Sequence, residues 1–206
     1  MAIQTFTSGQ ILTAAQMNTL QQQAVMTFTT EAARDAALTA PTEGMVAYLT
    51  APTVPAATGT TTFVPTGIQT IYNGSAWVCV TGVGSVSAFS QTTTSTSYTD
   101  LATVGPSVTL STGTSALVQL SSLVTAGATG AVSLLSVAVS GASTIAATDA
   151  KAVFTSSSSG SFQIAAGRAV VIGGLTAGTN TFTIKYRVTA STGTFEGREL
   201  FVQGIA

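Results

Sequence analysis

Histidine is absent from this chain of 206 residues, and charged residues make up only 6% of it. Histidine is the usual general base, the usual partner of a nucleophilic serine or cysteine, and the commonest nitrogen ligand of metal ions. Without it, many hydrolytic and metal-dependent mechanisms lose a group that they require. We therefore expect a protein that is not an enzyme, with no catalytic residue, no metal site and no cofactor.

Cysteine occurs once, at Cys79, so no disulfide can form within the chain. This residue stands in the apolar run of residues 77–80 (WVCV), which is typical of a buried strand. A thiol buried in apolar surroundings is uncharged and inert. We expect Cys79 to be structural.

Positive charge is scarce as well: six Lys or Arg stand against seven Asp or Glu, for a net charge of −1. Proteins that bind nucleic acid rely on Lys and Arg to neutralise phosphates, so a nucleic-acid partner is not expected. Hydrophobic residues make up 45% of the chain, while charged residues fall well below the roughly 25% of an ordinary soluble domain. An apolar surface with few charged residues usually contacts other chains, so this composition predicts an assembly.

Long hydrophobic runs are also missing. The most apolar stretches, residues 131–138 and 169–172, are much shorter than the roughly 20 residues that span a bilayer, so membrane insertion is not expected. The first six residues lack the basic segment and apolar core of a signal peptide. We expect the protein to stay in the cytoplasm where it is made, or to leave it inside a larger particle.

The abundant residues are Thr, Ser, Gly, Ala and Val, which together favour β-structure with hydroxyl-rich surfaces. Alternation is clear in residues 181–188, where Phe182, Ile184, Tyr186 and Val188 share one face. Short strands separated by turn residues are predicted near 86–89, 99–104, 107–110, 116–124, 132–139, 152–154, 161–164, 169–173, 181–189 and 199–204. So many short strands predict a mainly β protein with a jelly-roll-like β-sandwich.

Two short helices are predicted ahead of these strands. The first spans residues 14–24, with Thr13 as N-cap and Gln16 as its partner in a capping box. The second spans residues 31–38, with Thr30 as N-cap. At about three turns the first helix is marginal alone, so it is expected to dock onto its own chain, a symmetry mate or a host particle.

Between the helices and the sandwich, residues 45–49 predict a strand, and residues 69–72 and 76–79 predict a hairpin around Asn73-Gly74. Residues 51–67 contain three prolines and predict an extended, partly irregular insertion, while residues 81–85 (TGVGS) predict a flexible connector. The predicted organisation is an N-terminal segment with a short helical anchor (1–27), a small helix and β-hairpin module (28–84) and a β-sandwich head (85–206).

Paired carboxylates are the one enzymatic pattern left open, because glycan-cleaving enzymes use two acids that flank the scissile bond. The candidates are Asp100, Asp149, Glu196 and Glu199. The densest group, residues 196–199 (EGRE), predicts a solvated turn with local ion pairs ahead of the last strand. A glycan-degrading enzyme is therefore the least favoured function.

Three stretches resemble proteins of bacteriophage particles. Residues 6–18 (FTSGQILTAAQMN) resemble the opening of many phage fibre, minor tail and head-fibre proteins. Residues 28–37, 40–45 and 71–77 are similar to a small module of the same proteins, although the insertion 51–67 is longer than its usual connection. Residues 178–183 through 198–200 are similar to β-sandwich heads of phage structural proteins.

The resemblance implies a structural component of a phage virion, made in the host cytoplasm and exposed on the particle surface. It implies a homotrimeric fibre or spike that attaches to capsid or tail proteins through its N-terminus and projects the sandwich outward, with host attachment as one role of the head. The residues expected to anchor it are Phe6, Ile11, Leu12, Met17 and Leu20. Their alternative role is packing within the chain itself.

Two further functions stay open: a capsid decoration protein that stabilises the shell, and a receptor-binding module for host cell-surface glycans. A glycan site requires exposed aromatic side chains on the head. Tyr98 and Phe195 are the candidates for ligand contact, whereas Tyr186 lies on an apolar strand face and is expected in the core. Whether the particle site is the capsid or the tail does not follow from the sequence.

Overall fold

The computed structural model describes residues 8–23 and 25–206. Its helices are α1 (Ala14–Gln23) and α2 (Glu31–Ala37), with a 3₁₀ turn at Asp149–Lys151. Its strands are β1 (Met26–Phe28), β2 (Val46–Leu49), β3 (Ala56–Thr58), β4 (Thr61–Phe63), β5 (Ile68–Tyr72), β6 (Trp77–Cys79), β7 (Val83–Ser87), β8 (Gln91–Thr93), β9 (Ser107–Thr112), β10 (Ser115–Ala126), β11 (Val132–Gly141), β12 (Val153–Ser156), β13 (Phe162–Gly173), β14 (Gly178–Val188) and β15 (Gly193–Ile205).

Both helices begin at the predicted caps. The Thr13 backbone N–H donates to Gln16 Oε1 at 3.0 Å, and the Gln16 N–H donates to Thr13 Oγ1 at 3.3 Å, which forms the capping box. Thr30 Oγ1 accepts from the Ala33 N–H at 3.2 Å in the same way at α2. These caps satisfy backbone donors that have no partner inside the helix.

The small module is a four-stranded sheet in the order β1-β2-β5-β6, with β1 parallel to β2. The predicted hairpin of β5 and β6 is confirmed, and Asn73 Oδ1 accepts from the Ser75 and Ala76 N–H groups at 3.1 and 3.0 Å. Arg34 of α2 is buried, with its guanidinium carbon 4.6 Å from the centre of the Trp77 ring. This contact attaches the helix to the sheet.

The rest of the chain forms a jelly-roll sandwich, as predicted. One sheet contains β13-β10-β15-β7 and the other β12-β11-β14-β9, with antiparallel neighbours throughout. The inward side of β14 consists of Phe182, Ile184, Tyr186 and Val188, all fully buried between the sheets. The mainly β fold class and the alternation in residues 181–188 are therefore confirmed.

The insertion at 51–67 is partly irregular, as predicted, but it also contains two short strands. Its strand β3 pairs with β9 and its strand β4 pairs with β7, so the insertion extends both sheets at the same lateral edge of the sandwich. The prolines lie outside β3 and β4, where no ladder hydrogen bond is lost. The limits 28–84 and 85–206 stay a prediction, although strands from the first range pair with strands of the second.

The connector predicted at residues 81–85 is wrong, because β7 occupies most of it and pairs with β15. Its glycines make room for aromatic rings and do not provide flexibility. A Cβ at Gly82 would lie 2.1 Å from Phe201 Cζ, and one at Gly84 would lie 3.3 Å from Phe63 Cδ2. Gly82 leaves space that the Phe201 ring occupies, and Gly84 lies in close contact with the Phe63 ring.

Two other strand predictions need correction. Residues 99–104 contain no strand, and only Thr99 forms an isolated bridge, with Tyr186. The strands predicted at 161–164 and 169–173 are parts of the single strand β13, which the glycine and the arginine between them do not interrupt.

Candidate functional site

The predicted anchoring residues are mostly exposed. Phe6 lies outside the described residues. The exposed fractions of Ile11, Leu12 and Met17 are 89%, 41% and 44%, while Leu20 is half-buried. These exposures disfavour packing of the first three residues in the core of this chain. Attachment to a particle through them stays a prediction.

Tyr98, a predicted ligand contact, belongs to an ion cluster on the outer face of the sheet that contains β14. Its hydroxyl donates to Asp149 Oδ1 at 2.9 Å. The Arg187 guanidinium is paired with both carboxylate oxygens of Asp149, and its central carbon lies 5.5 Å from the centre of the Tyr98 ring. The hydrogen bonds from Arg187 and Tyr98 lower the pKa of Asp149. The cluster links the loop before β9, the 3₁₀ turn and β14, and contact of Tyr98 with a ligand stays a prediction.

We expect the Tyr98 hydroxyl to make protein stability depend on pH in the alkaline range. Burial and the Asp149 carboxylate raise the pKa of Tyr98 to about 12, against roughly 10 in an unfolded chain. Because the folded state holds the proton more tightly, this contribution is complete below pH ~10 and is lost as the pH rises towards ~12. Urea unfolding between these limits should therefore show a smaller pH slope for Tyr98→Phe than for the wild type; equal slopes would contradict the assignment.

Phe195 is fully buried, and its ring centre lies 4.9 Å from that of Tyr186 in a tilted arrangement. The predicted ligand contact of Phe195 is therefore wrong, because the ring is part of the sandwich core and no surface of it is accessible. Tyr186 is in the core as expected, with its hydroxyl donating to the Gly105 carbonyl at 2.9 Å.

The four candidate carboxylates divide between the two sheets. Asp100 accepts from Lys185 Nζ at 2.7 Å, and Asp149 is paired with Arg187, both over the sheet of β14. Glu196 and Glu199 are exposed on β15, in the other sheet. Among the described residues, no group of three or more Cys, Asp or Glu could hold a metal ion.

The turn predicted at residues 196–199 is wrong, because these residues lie inside β15 at a β-bulge. Ser121 pairs with Glu199 and Leu123 with Glu196, so two residues of β15 lie opposite Ser122 alone. Gly197 adopts a left-handed φ of 54°, which an L side chain disfavours. The extra residue reverses the alternation and directs Arg198 into the core.

Arg198 is fully buried, and among the described residues no carboxylate pairs with it. Its guanidinium donates to Ser87 Oγ at 2.7 Å, to Gln91 Oε1 at 3.2 Å and to the Phe89 carbonyl at 3.3 Å. Its Nε atom has no hydrogen-bond partner. The polar core site was missed from the sequence, although the change of alternation between Phe195 and Leu200 signals the bulge.

The two lateral edges of the sandwich differ. At one edge, β3 and β4 extend the sheets. At the other edge, which we call the open edge, β12 and β13 end the two sheets, and β13 pairs with β10 alone among the described strands. The large apolar residues exposed there are Phe154 (59%), Phe162 (47%), Ile164 (44%) and Val171 (62%).

The open edge leaves part of the core-facing side of the sandwich uncovered. Phe162 and Ile164 pair with Ala126 and Val124, whose side chains are fully buried on the inner face. In an antiparallel pair, directly opposed residues share a face, so Phe162 and Ile164 also lie on the inner face. Their exposed fractions of 47% and 44% leave both side chains partly uncovered at this edge.

The outer face of the sheet β4-β7-β15-β10-β13 contains a groove of about 690 Å³, here called the outer groove. One row across its five strands is Phe63, Gly84, Phe201, Gln119 and Ala169. The next row, two residues along, is Thr61, Val86, Glu199, Ser121 and Gly167. Small residues therefore form the floor, beside two phenyl rings, an amide and a carboxylate.

Comparison with known proteins finds no matching family model and no matching curated protein. No helix among the described residues is long and apolar enough to cross a membrane. Among solved structures, the chain is similar to the Eiger TNF of S. frugiperda, with 13% identity and a TM-score of 0.40 over 57% of this chain and 85% of that one. A Podospora anserina GH26-CBM35 β-(1,4)-mannanase matches with 15% identity and a TM-score of 0.22, over 80% of this chain and 28% of that one. Neither likeness assigns a function.

Proposed function

We propose that the chain is a non-enzymatic structural subunit of a bacteriophage particle that works as a homotrimer. The observation that carries the proposal is the open edge, where core-facing apolar side chains of β13 are uncovered in the single chain. A sandwich that leaves such residues exposed needs another chain to cover them.

A second copy of this chain fits the open edge better than a charged partner. On β12 and β13 the only charged residue is Arg168, and its Nη1 donates to the Ala152 carbonyl at 3.3 Å. With a single positive charge and no carboxylate, the edge offers little electrostatic complementarity for selecting a charged partner. The unpaired backbone of the 12-residue strand β13 also provides a ladder that a copy can extend.

Attachment to a phage particle is supported by the resemblance of residues 6–18 to fibre, minor tail and head-fibre openings. Ile11, Leu12 and Met17 add exposed apolar side chains before and on α1, which suit docking onto capsid or tail proteins. In this arrangement the N-terminus anchors the trimer and the jelly-roll sandwich projects outward. A fibre and a shell-stabilising decoration protein share this architecture and differ in location.

We expect purified protein at micromolar concentration to sediment as one species of three times the chain mass, because trimer formation covers the open edge. Sedimentation-velocity ultracentrifugation gives this mass, and a stable monomer would contradict the proposed assembly. We also expect the chain in purified phage particles by mass spectrometry, with labelled protein visible on the capsid or tail by electron microscopy. Its absence from the particles would contradict the structural role.

A further inference from the structure

We propose that the outer groove binds a short neutral oligosaccharide. The inference goes beyond the proposed structural role and does not rest on it, because the groove is complete within one chain. Its volume of about 690 Å³ lies within the roughly 300–1,000 Å³ of pockets that bind small ligands.

The aromatic part of the groove suits the apolar face of a sugar ring. Phe63 is 61% exposed, and Phe201 is half-buried beside it across β7. The faces of aromatic rings carry negative charge density, which attracts the polarised C–H groups on one side of a pyranose. The Phe201 ring lies where a Cβ of Gly82 would project, and the Phe63 ring lies in close contact with Gly84, so both rings lie against β7.

The polar part of the groove suits hydroxyl groups. Gln119 is exposed next to Phe201, and its amide can both donate and accept. In the neighbouring row, the Glu199 carboxylate accepts from Ser121 Oγ at 2.7 Å and retains acceptor sites for further donors. Apolar rings beside a few placed polar groups are the composition of a ligand site.

The charge of the groove selects a neutral ligand. Glu199 supplies a carboxylate on the groove face. Arg168 also borders the groove, but its residue faces the inner side opposite Leu120 and its guanidinium binds the Ala152 carbonyl. An anionic sugar would therefore meet the Glu199 carboxylate on the groove face, while the Arg168 guanidinium is directed towards the Ala152 carbonyl. A second copy of the chain is disfavoured as occupant because it would bury Glu199 without a partner charge.

The test uses full-length protein and isothermal titration calorimetry with maltotetraose, cellotetraose and mannotetraose, and tetragalacturonate as the anionic probe. We expect at least one neutral tetrasaccharide to bind and tetragalacturonate not to bind. Phe63→Ala should weaken binding at least tenfold. Phe89→Ala is the matched control, because Phe89 is 62% exposed outside the groove, and it should bind like the wild type.

A second variant tests the role of charge. Glu199→Gln keeps an acceptor but removes the negative charge, so tetragalacturonate is expected to gain binding relative to the wild type. Absence of binding by all three neutral probes would overturn the proposal, as would equal losses in Phe63→Ala and Phe89→Ala. A lower oligomeric mass of Phe63→Ala would also overturn it, by identifying the groove as a contact between copies. Failure of the trimer proposal would be seen separately, because the wild-type protein would then sediment as a monomer.

Discussion

Replacement of Arg198 by methionine is expected to lower the free energy of unfolding by about 3 kcal/mol, within the range that loss of a buried polar network produces. Methionine is long and apolar, so it fills much of the space but cannot hydrogen-bond. Ser87 Oγ and the Phe89 carbonyl would then each lose the hydrogen bond that Arg198 donates. Solvent does not reach Arg198 in this site. Part of this loss is offset because the substitution also removes a buried positive charge that has no carboxylate partner.

Urea unfolding at fixed protein concentration measures the change in the free energy of unfolding. Lys151→Met is the control, because Lys151 lies partly exposed on the 3₁₀ turn, and its change should stay below about 1 kcal/mol. Arg198→Lys should also destabilise, since an ammonium group lacks the planar fork that serves three acceptors at once. If Arg198→Met is neutral or stabilising, the cost of burying this charge exceeds the value of its hydrogen bonds.

Local chemistry explains which elements could be predicted. Thr13 and Thr30 cap their helices by contacts three residues away, and the Asn73-Gly74 turn forms its hairpin with adjacent residues. The alternation in 181–188 follows from one strand with one buried face. Each of these features depends on residues that are neighbours in the chain.

The failures arise where distant residues decide the structure. Residues 81–85 resemble a linker, but the phenyl rings of Phe63 and Phe201 occupy the space above their glycines. The insertion 51–67 forms strands only because β7 and β9 offer edges to pair with. Neither the phenyl rings nor the edge strands can be inferred from local composition.

The bulge at Gly197 is a different case, because its signal is present in the sequence. Phe195 and Leu200 are both core-type residues but have opposite parity, so one extra residue must lie between them. The same shift that buries Leu200 also buries Arg198, two residues before it. The prediction of a solvated turn rests on the charged residues, whereas the odd and even positions of the core residues determine the structure.

The outer groove could not be predicted from the sequence. Its two rows combine residues from five strands, the most distant of which, Thr61 and Phe201, are 140 positions apart in the chain. Their order across the sheet follows from the jelly-roll connections, which the periodicity of single strands does not specify. Tyr98 and Phe195 are predicted as ligand contacts from residue type alone, and Phe195 lies in the core.

Substitution of aspartate at the open edge is expected to convert the trimer to monomer. Val171 is 62% exposed in the single chain, and Ile164 is 44% exposed. If another copy covers them, Val171→Asp or Ile164→Asp places a carboxylate without a cation in an apolar contact. Such burial costs several kcal/mol, and about 3 kcal/mol already raises a dissociation constant by a factor of about 100.

Val104→Asp provides the matched control, since Val104 is 58% exposed and lies in the loop before β9, whose sheet ends at the opposite edge with β3. Sedimentation velocity at micromolar concentration should show a threefold loss of mass for Val171→Asp and Ile164→Asp, and none for Val104→Asp. Circular dichroism should show that the monomeric variants keep their β-structure, because both substituted side chains are exposed in the single chain. Trimers that persist in both edge variants would show that the open edge is not the contact between copies, and the assembly would have to use another surface.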